Sequence, residues 1–205
     1  MKQASRLLRP LALAAAFSVL TASVCEKKTP ERQWERGAFE PLPENTKPYQ
    51  LPAGVSVITM YGYTDDVIPK SDLPLLMTVR NGSNADIDIV FPAGLVFSPQ
   101  ENPDYDYQYM ILLQDYPFTV SAGTDQNELL PTYGCNEELD DPDEDAFYSI
   151  YGREWDRETE ELLDLVADKA LSGDDAVMLA QEALFEITDG GGLADSTRTK
   201  LANLP

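Results

Sequence analysis

Apolar residues recur at every second position, or in short runs, between Val55 and Tyr133. From Arg157 onward they recur every three to four positions. The first pattern is that of strands with one buried face, the second that of amphipathic helices. Val55, Val57 and Thr59 alternate with Ser56, Ile58 and Met60. Leu75 to Val79 is a β-rich run that reaches Asn81-Gly82, a tight-turn signal. Ile87, Ile89 and Phe91 alternate with Asp86, Asp88 and Val90, and further runs cover Gly94–Phe97, Tyr109–Leu113, Phe118–Val120 and Leu129–Tyr133. Pro92, Pro99, Asn102-Pro103 and Ala122-Gly123 separate them. Seven short strands of this kind over about 80 residues predict an antiparallel β-sandwich of immunoglobulin-like type over residues 53–135.

The helical pattern predicts a first helix after Arg157 whose stripe is Leu162, Val166 and Ala170, with Leu163 and Ala167 beside it. Ser172-Gly173-Asp174-Asp175 resembles a capping box, with Asp in place of the usual Glu. It would open a second helix with Ala176, Ala180, Ala183, Leu184 and Ile187 on its apolar face. Gly190-Gly191-Gly192 closes that helix, and Asp195 or Ser196 is placed to cap a last one carrying Leu201 and Leu204. Helices this short bury little alone, so residues 157–205 are expected to dock on the sandwich, across an acidic loop at 136–156. The fold class expected is α+β.

The N-terminus changes the picture from a plain domain to an exported one. Lys2, Arg6 and Arg9 precede the apolar run Leu11–Leu20, and Thr21, Ala22 and Ser23 follow it. Charge, apolar stretch and small residues in that order make a secretory signal over residues 1–24. The run is shorter than the roughly 20 residues a spanning helix needs. Residues 25–52 hold Pro30, Pro41, Pro43, Pro48 and Pro52 among charged residues and read as an extended tether. Two fates are open at the cut. Thr21 and Ser23 suit release of a soluble protein into the periplasm, the envelope or the medium. Cys25 resembles the lipid-bearing cysteine of bacterial lipoproteins, with Val24 where that family has a small residue, and would be the sole link to a membrane.

Composition narrows the chemistry. The chain carries 36 Asp and Glu against 15 Lys and Arg, a formal charge of −21, and no histidine. Such a surface repels nucleic acid and anionic lipid. Without histidine the usual general base, the commonest metal ligand and the Ser-His-Asp and Cys-His arrangements are all missing, so an orthodox enzyme is not expected. The two cysteines, Cys25 and Cys135, suggest a bridge in an oxidising compartment. It would close a loop of about 100 residues, a contribution of roughly 4–5 kcal/mol in the chain-entropy model. Asp141, Asp143 and Asp145 stand at the first three ligand spacings of an EF-hand, yet Ala146 replaces the turn glycine and Gly152 the bidentate Glu. A calcium site of another design and a solvated acidic loop are both open.

Two resemblances add to this. Thr78–Ser83 with Phe91-Pro92-Ala93-Gly94 is similar to small exported sandwich modules of the BsuPI proteinase-inhibitor type. Ala180-Gln181-Glu182-Ala183-Leu184-Phe185-Glu186-Ile187-Thr188-Asp189-Gly190 resembles the glutamine segment of bacterial Thr-Gln-X-Ala-type thioester domains, with Tyr133-Gly134-Cys135-Asn136 as the partner segment. Ala180 stands where that family has Thr, Phe185 where it has Trp, and Asn136 where an aromatic residue follows the cysteine. The resemblance implies a surface-adhesion module in which Cys135 and Gln181 condense to a thioester that then captures an amine. The functional expectation is an exported, envelope-associated, non-catalytic module that binds a protein or polymer at the cell surface. The alternatives are the thioester module and a calcium-stabilised acidic structural protein.

Overall fold

The computed structural model describes residues 48–64, 71, 73–153 and 157–205. The signal, Cys25 and most of the tether lie outside these residues. Nine strands precede three helices: β1 Val55–Gly62, β2 Leu75–Asn81, β3 Ile87–Phe91, β4 Leu95–Pro99, β5 Met110–Leu112, β6 Tyr116–Val120, β7 Asp125–Leu130, β8 Thr132–Gly134, β9 Tyr148–Arg153, then α1 Arg157–Val166, α2 Asp174–Thr188 and α3 Asp195–Ala202. The strands form three small antiparallel sheets, ordered β1-β2-β7, β3-β6 and β8-β5-β4-β9. The α+β class is as expected from the sequence, with antiparallel strands first and helices last.

The four-stranded sheet is covered on both faces, which explains why β4, β5 and β8 lack the alternation of a half-wet strand. Leu95, Phe97, Met110 and Leu112 point into a first core shared with Met60, Leu75, Met77, Phe91 and Leu130. Val96, Ile111, Tyr133 and Cys135 point the other way, into a second core closed by Leu162, Val166, Val177, Ala180, Leu184 and Leu201 of the helices. Aromatic edges lock the first core: Phe91 meets Phe118 at 5.1 Å and Tyr49 at 5.3 Å, both edge-on.

Several local expectations are overturned. Asn81-Gly82 is not a hairpin turn, because β2 pairs with β1 and β7 while β3 pairs with β6. The fully buried Asn81 instead donates its Nδ2 to the carbonyls of Ala85 and Val120, tying the corner to β6. The run Leu129–Tyr133 breaks at Pro131 into β7 and β8, which belong to different sheets. In β1 a bulge between Val57 and Thr59 shifts the register, so Ile58 is exposed and Met60 is buried. Tyr148–Arg153, in the segment read as an acidic loop, is a strand on β4.

Neither later helix uses the caps read from the sequence. Gly173, at φ 98°, is the N-cap of α2, and no side chain caps it, so Ser172 plays no capping role. Ala194 is the N-cap of α3; Glu186 of α2 accepts from its N–H at 2.8 Å and from the Thr197 hydroxyl at 2.6 Å. A carboxylate from α2 thus fastens the start of α3, in place of a local Asp195 or Ser196 cap.

Candidate functional site

Cys135 lies at the end of β8, the edge strand of the four-stranded sheet. β8 pairs with β5, and the Cys135 amide donates to the carbonyl of Tyr109 at 2.9 Å. That pairing turns the N–H and C=O of Gly134 toward the free edge. There they meet α2. Gly134 N–H donates to Gln181 Oε1 at 2.9 Å, and Gln181 Nε2 donates to the Gly134 carbonyl at 2.8 Å. The carboxamide thus pairs with the strand edge as a neighbouring peptide would.

Two features of the sequence permit this approach. The face of α2 toward the sheet is built from small residues, Ala176, Ala180 and Ala183, alongside Val177 and Leu184, so the helix axis lies close to β8. Gln181 is one turn from both Val177 and Leu184 and flanks that face. Gly134 also has no side chain, and a Cβ there would lie 2.0 Å from Gln108 Oε1. Gln108, fully buried, crosses beneath the strand at that point.

The chain on the other side of Cys135 is held as firmly. Asn136 N–H donates to Gln108 Oε1 at 3.2 Å, and Gln108 Nε2 donates to Asp141 Oδ1 at 2.7 Å. Asp189, at the C-cap of α2, accepts from Asn136 Nδ2 at 3.4 Å and from the Glu137 amide at 2.9 Å. Cys135 therefore sits between a residue clamped by Gln181 and one clamped by Gln108 and Asp189. Its side chain is 3% exposed, within the second core. Burial first, then Tyr151 and Cys135, holds the Tyr109 hydroxyl above its usual pKa. Burial does the same for Tyr148, with Cys135 the next contributor, so both phenols stay neutral beside the sulfur. Asn136 is 2% exposed, and its Oδ1 has no hydrogen-bond partner among the described residues.

The structure brings Cys135 and Gln181 to one place, separated by the single residue Gly134. Gln108 was not singled out from the sequence, since it lies in Tyr107-Gln108-Tyr109 with no motif around it. Its only advance signal was the strand glycine opposite, which marks a close approach. Asp189 was visible as part of the Thr188-Asp189-Gly190 end of the glutamine segment, without an assigned role.

In the acidic loop Asp side chains accept hydrogen bonds from neighbouring groups. Asp143 Oδ1 accepts from the Tyr107 hydroxyl at 2.8 Å and from the amides of Asp145 and Ala146, and Asp141 accepts from Gln108. Among the described residues, no three Asp, Glu, Cys or His side chains converge as a metal-binding group. No helix among them is long and apolar enough to cross a membrane. No family model matches the chain, and neither a curated protein nor a solved structure matches it.

Proposed function

We propose that this is an exported surface-binding module in which Cys135 and Gln181 close an internal thioester that captures an amine-bearing partner. The observation that carries the reading is the Gln181 carboxamide, fixed on both polar groups of Gly134 beside a buried thiol. Gly134 directly precedes Cys135 in the chain, so the carboxamide is held on the residue next to the one whose sulfur would attack it. Gly134 N–H already points at Oε1, where negative charge develops when a thiol adds to the carbonyl carbon. A fixed donor at that oxygen stabilises the addition.

The balance is simple. The Cys135 sulfur bonds to the Gln181 carbonyl carbon, the C–N bond breaks, and the thiol proton leaves with the nitrogen as ammonia. Later a primary amine adds to the same carbon, the C–S bond breaks, and the thiol is restored as an amide forms. Burial of the sulfur in the second core keeps water from the stored acyl group. Neither step needs histidine or a cofactor. The antiparallel strands that precede the helices supply a rigid support for such a module. The apolar run Leu11–Leu20 after Arg6 and Arg9 supports export, with Cys25 as a candidate lipid anchor.

The test is the intact mass of the mature protein purified from its native host under mild acid. A thioester lowers the mass by one ammonia, and methylamine converts that species to one heavier by methylamine with a new thiol. Cys135→Ala should show neither change. A full-mass protein with an alkylatable Cys135, or one lighter by two hydrogens through a Cys25–Cys135 bridge, rules the thioester out. What remains then is a non-covalent module in which Gln181 only fastens α2 to β8.

A further inference from the structure

The strands β1 and β9 are both sheet edges, and they face each other. They touch at a single bridge, Tyr61 with Phe147, next to a hydrogen bond from Gly62 N–H to the Ala146 carbonyl at 3.2 Å. From there they part, and the space between them is a cleft of about 530 Å³ lined by Val57, Ile58 and Thr59 on one side and Tyr148, Ser149 and Ile150 on the other. We propose that this cleft binds one extended segment of a partner protein, basic at its ends, which enters as an added strand.

Three observations carry the proposal, none of which depends on the Cys135–Gln181 reading. The first is sheet order. With one strand inserted, β7-β2-β1 and β9-β4-β5-β8 become a continuous sheet. Only a polypeptide in β conformation offers hydrogen-bonding groups to both edges at once, the strand-addition mode of peptide recognition.

The second is that, apart from the β1 bulge, the facing edge stretches lack the usual protection. Exposed strand edges are generally blunted by Lys, Pro or inward charges against pairing with other chains. The facing stretches Val57-Ile58-Thr59 and Tyr148-Ser149-Ile150 contain neither a charge nor a proline. The β1 bulge projects Ile58, 48% exposed, and Phe147, at the end where the two strands touch, is 47% exposed. Two apolar side chains flanking an open edge suit the alternate side chains of an incoming strand.

The third is charge. The cleft lining is uncharged, and its margins are acidic: Glu101 follows the lining residue Gln100, while Glu144 and Asp145 precede Phe147, all three exposed. No described Lys or Arg lines the cleft. On a chain of net charge −21, a strand with Lys or Arg at its ends is favoured over an acidic one.

The experiment selects displayed random linear peptides against the full mature protein and maps binders by amide hydrogen exchange. Expected are peptides with apolar residues at alternate positions and Lys or Arg at the ends, which slow exchange at Val57–Met60 and Tyr148–Ile150. N-methylation of the peptide's central backbone amide should abolish binding. Ile58→Asp or Ser149→Lys, both surface changes, should weaken binding at least about tenfold, and Cys135→Ala should leave it unchanged. Any of four results overturns the proposal: selection that yields no peptide protecting those amides, binding that survives N-methylation, acidic-ended peptides that bind equally well, or protection already present without peptide. If that last protection grows with protein concentration, the occupant is a second copy. If it vanishes on deletion of residues 26–47, it is the chain's own tether.

Discussion

Replacing Gly134 by Ala adds one methyl group at the most constrained point of the candidate site. The new Cβ would lie 2.0 Å from Gln108 Oε1 and 2.5 Å from its Cδ, well inside contact distance. Gln108 cannot step aside into solvent, because it is fully buried and its own carbonyl accepts from the Tyr148 hydroxyl at 2.9 Å. Displacing its carboxamide breaks the bond to the Asp141 carboxylate, about 1.5–3 kcal/mol, and that from Asn136 N–H, about 0.5–1.5 kcal/mol. Stiffening of the unfolded chain returns roughly 0.4–1 kcal/mol. The net expected loss is about 1–4 kcal/mol, which for a chain of this size lowers Tm by roughly 2–16 °C. Chemical denaturation and calorimetry of Gly134→Ala, Gln108→Ala and the double variant measure it. Removing the obstructing side chain should make the glycine change nearly harmless, so the double variant should match Gln108→Ala alone. Additive losses, or an unchanged Tm in Gly134→Ala, would refute the packing argument.

In the unreacted protein, Gln181→Ala removes two hydrogen bonds from the edge of β8 and should cost about 1–3 kcal/mol in urea titrations. Gln181→Glu keeps an acceptor for Gly134 N–H but sets a carboxylate against the Gly134 carbonyl, so it should be at least as unstable at neutral pH and partly recover in acid. Leu201→Ala, at a fully buried position in the second core, should cost about 2–5 kcal/mol. Arg198→Ala, which breaks a half-exposed pair with Glu161 at 2.6 Å, should cost at most about 1 kcal/mol in the same titrations. In alkali, burial together with hydrogen bonds to Asp143 and Glu128 raises the folded-state pKa of Tyr107 and Tyr116. Their stabilisation is therefore full below the unfolded tyrosine pKa near 10 and is lost as pH climbs above it. Tm should fall from about pH 10 upward, and less steeply in Tyr116→Phe.

Periodicity located most of the elements because it reports which face of a segment is buried, and it failed where burial was decided from afar. Ile58 and Met60 look equivalent in sequence, and only the bulge opposite Val79 and Thr78 separates them. Asn81-Gly82 has the composition of a hairpin turn, but its carboxamide finds partners on β6, 39 residues away. The acidic run 137–145 hid β9, since Tyr148–Arg153 alternates weakly and gains its burial from β4 and the first core. At the candidate site, Cys135 and Gln181 were legible as residue types in a motif. Gln108 was not, because what makes it matter is the absence of a Cβ on a strand 26 positions later.

A chain without histidine limits what the proposed site can do and also explains its construction. An enzyme that activates a nucleophile at each turnover needs a base poised near neutrality. A thioester places the activation earlier, in folding, when the carboxamide is pinned beside the thiol's residue, and the later acyl transfer draws on an already activated acyl group. What such a site requires of the protein is position and dryness. Position comes from three side chains on two segments remote from Cys135 in sequence: Gln181 on Gly134, Gln108 on Asn136, and Asp189 on Asn136 and Glu137. Dryness comes from the second core, which exists only because the helices cover the face of the sheet that carries Val96, Ile111, Tyr133 and Cys135. On this reading the helical segment serves as a wall of the site as well as the source of Gln181. A change that loosens the wall without touching Cys135 or Gln181, such as Leu201→Ala, should shorten the lifetime of the thioester against water more than it lowers the yield of its formation.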